Sequence, residues 1–222
     1  MSQEAKTYVI IGGTSGIGKA IASSFDKDNN TVHVASRQTG LDISNEQAIR
    51  EYFESIGPFD HLVVTAGSSA PAGKVVDVNI TDAKQAFDTK FWGSIQVAKY
   101  AAEYIKANGS ITLTTGMLSR KVVANTYVKT AINAALEAVT KVLAKELAPI
   151  RVNAVSPGLT MTTAYQKMDL SARDAMYQNA ASNLPVGKAG EASEIAMAYA
   201  LAINNPYMTG AIIDVDGGAL LQ

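Results

Sequence analysis

Residues 10–22, IIGGTSGIGKAIA, set Gly12, Gly13, Gly16 and Gly18 between a β-rich run and a helical pattern. Glycine there permits a tight turn, close approach of a phosphate to the backbone, and close packing of helix on strand. A helix opening at that point offers unpaired N–H groups and the positive end of its dipole to a pyrophosphate. Thr14 and Ser15 add hydroxyl donors, and Ile17 lies between the last two glycines. Ser36 and Arg37 close the second β-rich run. A hydroxyl beside a guanidinium suits a phosphate dianion, whereas an acid at that place would repel one. Further along, NTYVKTAINAALEAVTKVLAKEL places Tyr127 ahead of a long helical pattern, with Lys129 two residues on and Ala131 four on. Residues two apart point different ways on a helix.

These residues must be held by an alternating set of elements. TYVIIGG, TVHVASR, FDHLVVTAG, GSITLTTG, IRVNAVSPG and GAIIDVDGG read as strands. GKAIASSFDKD, NEQAIREYFESIG, the stretch that opens at Tyr127, and ASEIAMAYALAIN read as helices, with Ser44 expected to cap the second. DAKQAFDTKFWGSIQVAKYAAEYIKAN is expected as one long helix, with a fourth strand beginning at Gly109. On the first helix, Ile17, Ala20, Ile21 and Ser24 are expected to share one side, with Phe25 following. Strands that alternate with helices, several of them apolar on both faces, predict an α/β fold: a single doubly wound, Rossmann-type parallel sheet with helices on both faces. No repeat, low-complexity segment or linker divides the chain, so residues 1–222 are expected to form a single dinucleotide-binding domain. Residues 159–188 differ in being polar and in carrying Met161, Tyr165, Met168, Met176 and Tyr177. They are expected either as a substrate lid or as a surface helix pair without ligand contact.

Composition narrows the function classes. The chain has 222 residues, a formal charge of −1 and no cysteine. Acids and bases are interspersed, which gives neither the basic stripe of a nucleic-acid binder nor a membrane-surface patch. Thiolate catalysis, disulfides and cysteine-bound zinc are excluded. His33 and His61 lie in strand-like runs and are read as structural, so no metal site is expected. No stretch reaches the roughly 18–20 apolar residues of a spanning helix. The start runs directly into a strand, and a cytoplasmic location is expected.

The order of these motifs resembles the short-chain dehydrogenase/reductase family over essentially the whole chain. The loop Gly13-x-x-Gly16-x-Gly18 resembles that family's T-G-x-x-x-G-x-G, with Gly12 in place of threonine. LDI at 41–43 resembles the pair that holds the adenine, which implies Asp42 and Ile43 as adenine contacts. VVTAG at 63–67 resembles N-N-A-G, which implies Ala66 and Gly67 in the cofactor cleft. IRVNAVSPGLTMT resembles R-V-N-x-V-x-P-G-x-x-x-T, which implies Pro157, Gly158, Leu159, Thr160 and Thr162 beside the nicotinamide amide and the phosphates. MTGAIIDVDGG is similar to the closing TG…VDGG. With Ser36 and Arg37 at the end of the second strand, the expected cofactor is NADP(H) over NAD(H). The family is also often oligomeric, which implies a homo-oligomer, dimer or tetramer, packed through its two long helices.

The family's catalytic set is an asparagine, a serine, a tyrosine and a lysine. Aligning its tyrosine with Tyr127 needs two extra residues before KELA. Such an insertion turns the rest of the helix by about 200°. The gap-free register places Lys129 on the tyrosine, Asn133 on the lysine, Gly116 on the serine and Lys90 on the asparagine. All four types are changed, and lysine and asparagine have exchanged places. Asn133 is then expected to reach the nicotinamide ribose. Lys129 is expected to act as the acid, to polarise a carbonyl, to bind a carboxylate or, less favourably, to form a Schiff base. Thr115 or Ser119 could replace the missing hydroxyl, and Tyr127 is expected at the pocket rim. Two functions lead: an NADP(H)-dependent oxidoreductase acting on a small carbonyl or alcohol with altered proton-transfer residues, and a non-catalytic NADP(H)-binding sensor or assembly partner; a structural protein without nucleotide is disfavoured by the glycine loop, Arg37, Asp42 and the PG-x-x-x-T segment.

Overall fold

The computed structural model describes residues 4–27, 29–67 and 69–221. In chain order the elements are β1 (Thr7–Ile11), α1 (Gly16–Phe25), β2 (Thr31–Ala35), α2 (Glu46–Ile56), β3 (Phe59–Val64) and α3 (Ile80–Phe87). A π-helical turn, Asp88–Trp92, leads into α4 (Gly93–Ala101). Then follow β4 (Ile105–Thr114), α5 (Tyr127–Glu146), β5 (Arg151–Pro157), β6 (Thr160–Met161), α6 (Leu170–Asn183), β7 (Gly190–Glu191), α7 (Ala192–Asn204) and β8 (Ile212–Val215).

Six strands form one sheet in the order β2-β1-β3-β4-β5-β8, and every neighbouring pair is parallel. Alternate residues of each strand serve opposite faces. Val9 and Ile11 join Ile49 and Phe53 of α2, Val97 and Ala98 of α4, and Ile132 and Leu136 of α5 in one core. Tyr8 and Ile10 join Ile21 and Phe25 of α1 and Ile195 and Tyr199 of α7 in the other. The expected Rossmann-type sheet, covered on both faces, is present. Strand order reverses beside β1, and ligand crevices in such sheets open at that point, outside the carboxyl ends of the strands.

Local expectations are corrected in three places. Asn45, not Ser44, caps α2, its side chain accepting from the Ala48 N–H at 3.2 Å. Ser44 is instead drawn back to Asp42, to whose Oδ1 its N–H and hydroxyl donate at 2.9 and 2.8 Å. On α1, Ile21 and Phe25 are buried and Ile17 and Ala20 pack against the same core as expected, but Ser24 is exposed and donates to the Ile21 carbonyl. The long helix over 82–108 is broken by the π turn and ends at Ala101; the chain re-enters the sheet at Ile105. Burial explains the early strand. Ile105 pairs with Phe59 of β3, and the Lys106 ammonium reaches Asp60 at 3.1 Å.

Candidate functional site

At the strand-order reversal the loops after β1 and β3 lock together. Gly12 takes φ +88°, and a Cβ there would stand 2.6 Å from Thr65 Oγ1. A Cβ on Gly18 would stand 2.3 Å from the Gly12 carbonyl oxygen, so only hydrogen fits between helix and loop. Thr65 donates to the Ile11 carbonyl at 3.1 Å, which fixes the hydroxyl against both glycines. Ser15 is the N-cap of α1, yet its side chain makes no capping hydrogen bond. The first-turn N–H groups therefore keep their capacity for an anion. Thr162, beyond β5, leans over this loop: its Cβ lies 3.3 Å from where a Cβ on Gly16 would be.

The other cofactor candidates lie along the same edge of the sheet. Ser36 Oγ accepts from Thr14 Oγ1 at 3.0 Å and from the Gln38 N–H at 3.1 Å. Arg37 next to it is exposed, in a short 3-10 turn over Arg37–Thr39. The carboxyl of Asp42 is held below its usual range, first by the Ser44 N–H and hydroxyl, and in lesser part by Arg37. Ile43 is buried, and a Cβ on Gly93 would meet its Cγ1 at 2.8 Å. Ala66 is half-buried and Gly67 has open space around it. Gly158 donates to the Val215 carbonyl at 2.9 Å, and Thr160 Oγ1 donates to the Gly158 carbonyl at 3.1 Å. Pro157 and Leu159 flank Gly158, both half-buried.

The four positions of the gap-free register draw on three elements. Lys90 lies in the π turn, Gly116 follows β4, and Lys129 and Asn133 stand one turn apart on α5. The Lys90 ammonium donates to Asn133 Oδ1 at 2.8 Å and to the Thr115 carbonyl at 3.2 Å. Burial, and then the charge of Lys129, pushes it down to about 8. Lys129 is exposed. Among the described residues neither lysine pairs with a carboxylate.

The hydroxyls expected to stand in for the missing serine are already engaged. Thr115 Oγ1 donates to the Val155 carbonyl at 3.3 Å, and Ser119 Oγ donates to Glu137 Oε1 at 2.5 Å. Tyr127 is not free at a rim. It is packed against the core shared by β3, β4, α4 and α5, and its enclosed hydroxyl has no hydrogen-bond partner among the described residues. His61 Nδ1 meets Ser110 Oγ at 2.9 Å inside the sheet, and burial pushes the imidazole down to about 4.

A charged cluster beside the site was not anticipated. Arg120 contacts Glu137 at 3.3 Å, Ser156 Oγ at 3.3 Å, and both carboxylate oxygens of Asp214. The signal was available in part, because Glu137 stands four residues after Asn133 and shares its face of α5. Residues 159–188 form a loop tied at its base by pairing of Thr160 with Gly190 and Met161 with Glu191. Its helix α6 buries no residue, and the rings of Tyr165 and Tyr177 meet edge to face at 6.2 Å. Among the described residues no group of three or more histidines or carboxylates is gathered to hold a metal, and no helix is long and apolar enough to cross a membrane.

Comparison with known proteins covers nearly the whole chain. A family model described as enoyl-(acyl carrier protein) reductase matches residues 36–219. The short-chain dehydrogenase/reductase ucsE of an Acremonium species is 31% identical over 254 residues, covering 98% of this chain and 96% of that protein. Carbonyl reductase family member 4 of Danio rerio is 31% identical over 242 residues, covering 98% and 99%. A solved small-chain dehydrogenase in complex with NADPH is 69% identical, with a TM-score of 0.97, covering 99% of this chain and 100% of that one.

Proposed function

The chain belongs to the short-chain dehydrogenase/reductase family, and from that premise we propose that it is an NADP(H)-dependent oxidoreductase of carbonyl and alcohol substrates in which Lys129 does the proton transfer. The bound cofactor supplies the hydride. The uncapped first turn of α1 and the Gly12 to Gly18 loop fit its pyrophosphate, with Thr14, Ser15 and Ile17 around it. Ser36 and Arg37 hold the 2′-phosphate, and Asp42 and Ile43 border the adenine. Ala66, Gly67, Pro157, Gly158, Leu159, Thr160 and Thr162 line the nicotinamide end, where Asn133 also stands. NADPH in the 69% identical neighbour supports this choice of cofactor.

The observation that carries the catalytic part is the ammonium of Lys90 held by Asn133 and the Thr115 carbonyl, with Lys129 one helical turn from Asn133. A buried cation with no carboxylate beside it favours negative charge on its neighbours. Lys129 gives a proton to the carbonyl oxygen, and Lys90 keeps the site electropositive while it does so. The whole chain forms one dinucleotide-binding unit with 159–188 as its cover. The family resemblance, together with exposed Trp92 and Val142 on the two long helical stretches, supports a homo-oligomer.

A panel of carbonyls and dicarbonyls assayed with NADPH, with Lys129→Ala in parallel, tests this. Turnover is expected to fall about 10²–10⁴-fold in the variant while NADPH affinity is kept. Unchanged turnover removes the acid role. Tight NADPH binding without turnover across the panel indicates the non-catalytic alternative.

A further inference from the structure

The two ends of the Asn133 amide are chemically opposite: its oxygen accepts and its nitrogen donates two hydrogens. The ammonium of Lys90 has donors only. The amide end 2.8 Å from it is therefore the oxygen, and the partner's chemistry sets the orientation. The nitrogen faces the other way and makes no hydrogen bond among the described residues, although Asn133 is only 6% exposed. It faces Gly116. A Cβ built on Gly116 would lie 3.0 Å from Nδ2 and 3.8 Å from Oδ1. Because residue 116 is glycine, no side chain crowds that nitrogen; this side of Gly116, bare of a Cβ, is the Gly116 notch. The nearby hydroxyls of Thr115 and Ser119 are turned to Val155 and Glu137. The nitrogen is not among the enclosed, unpartnered side-chain atoms of the described residues, so it keeps access to solvent and its hydrogens are free to be offered to a ligand.

We propose that Asn133 is a catalytic residue whose amide N–H, aimed into the Gly116 notch by Lys90, donates a hydrogen bond to the substrate carbonyl oxygen. Lys90 is the positioning residue that keeps it there. This rests on the reductase reading above and moves Asn133 from the cofactor ribose to the substrate. As the carbonyl carbon accepts hydride from NADPH, its π pair moves to oxygen, which then takes a proton from Lys129. The amide donor is strongest for the oxygen at the moment it carries that charge.

Steady-state kinetics with the panel and NADPH binding by fluorescence give the first test. Asn133→Ala lowers kcat about 100-fold, the loss typical of one donor to a developing oxyanion, with NADPH affinity unchanged. Adding Gly116→Ser to Asn133→Ala returns about tenfold by putting a hydroxyl in the notch. Lys90→Met and Asn133→Ala combined cost no more than the larger single loss, because both remove the same contact. A matching loss of NADPH affinity in Asn133→Ala, or no recovery from Gly116→Ser, overturns the assignment.

A second measurement needs no turnover. In ¹⁵N-labelled protein saturated with NADP⁺, diacetyl shifts the Asn133 side-chain NH₂ resonances, and Lys90→Met abolishes that shift. Resonances that respond to NADP⁺ and not to diacetyl overturn the assignment. If wild-type protein reduces nothing in the panel while the diacetyl shift is present, the reductase reading and the catalytic role fall together, and Asn133 is left as a hydrogen-bond donor to a bound carbonyl compound.

Discussion

Ser119 Oγ donates to Glu137 Oε1 at 2.5 Å, tying the segment after β4 to the middle of α5. The same carboxylate oxygen takes Arg120, so one side chain anchors two consecutive residues. Gly116 lies three residues upstream in that segment. Glu137→Gln is expected to cost about 1–3 kcal/mol of stability in urea unfolding, the usual loss when a largely buried charged hydrogen bond is broken. Turnover should fall with it, because the Gly116 segment loses its anchor. Unchanged stability and turnover would show that Asp214 alone holds Arg120.

In the proposed reading, Arg37 sets the choice between cofactors. Arg37→Ala is expected to reduce the ratio of NADPH to NADH affinity about 10–100-fold, the equivalent of about 1.5–3 kcal/mol for charge-assisted hydrogen bonds to a phosphate. Binding titrations with both nucleotides measure it. A ratio that stays where it was makes Arg37 a solvated surface charge.

Stability should respond to pH through Lys90. Its folded value is about 8 against an ordinary 10.5, because burial and Lys129 disfavour the charged form. Between those values the unfolded chain holds a proton that the folded chain has released, so stability rises with pH across that window. Urea unfolding at several pH values across that window should show this slope in wild type and lose it in Lys90→Met. Parallel curves for the two proteins would put the ammonium in free contact with solvent.

His61 works at the acid end. Burial holds it at about 4 against an ordinary 6.5. Below the ordinary value the unfolded chain binds a proton that the folded chain refuses, so stability falls as pH drops toward 4. Comparison of wild type with His61→Gln isolates this part of the acid sensitivity from that of the carboxylates. An equal fall in both proteins would assign it to the carboxylates alone.

The sheet was legible because its strands are short apolar runs punctuated by glycine, and the loop from Gly12 to Gly18 has a steric reason that a sequence can reveal. Two things were not. The helix pattern over 82–108 carries no mark of the π turn at Lys90, since helical propensity does not distinguish one extra residue per turn. Nor does it mark the exit at Ala101, which is decided by Ile105 entering the sheet opposite Phe59. At the site, spacing on α5 set Lys129 and Asn133 one turn apart, but the direction of the Asn133 amide depends on Lys90, 43 residues away. The Arg120 cluster was missed because Asp214 comes from the far edge of the sheet and adjoins Arg120 only after folding.

In the gap-free register proposed for the site, the exchange of lysine and asparagine between positions 90 and 133 also constrains the order in which it can be undone. Lys90→Asn made first leaves two amides facing one another, and each can turn to satisfy the other. Asn133→Lys made first sets two ammonium groups side by side in a nearly closed space, a repulsion of about 4 kcal/mol even at about 4 Å separation and the effective dielectric of a protein surface. A mutational walk between the two arrangements is therefore directional, passable through the amide pair and blocked through the lysine pair.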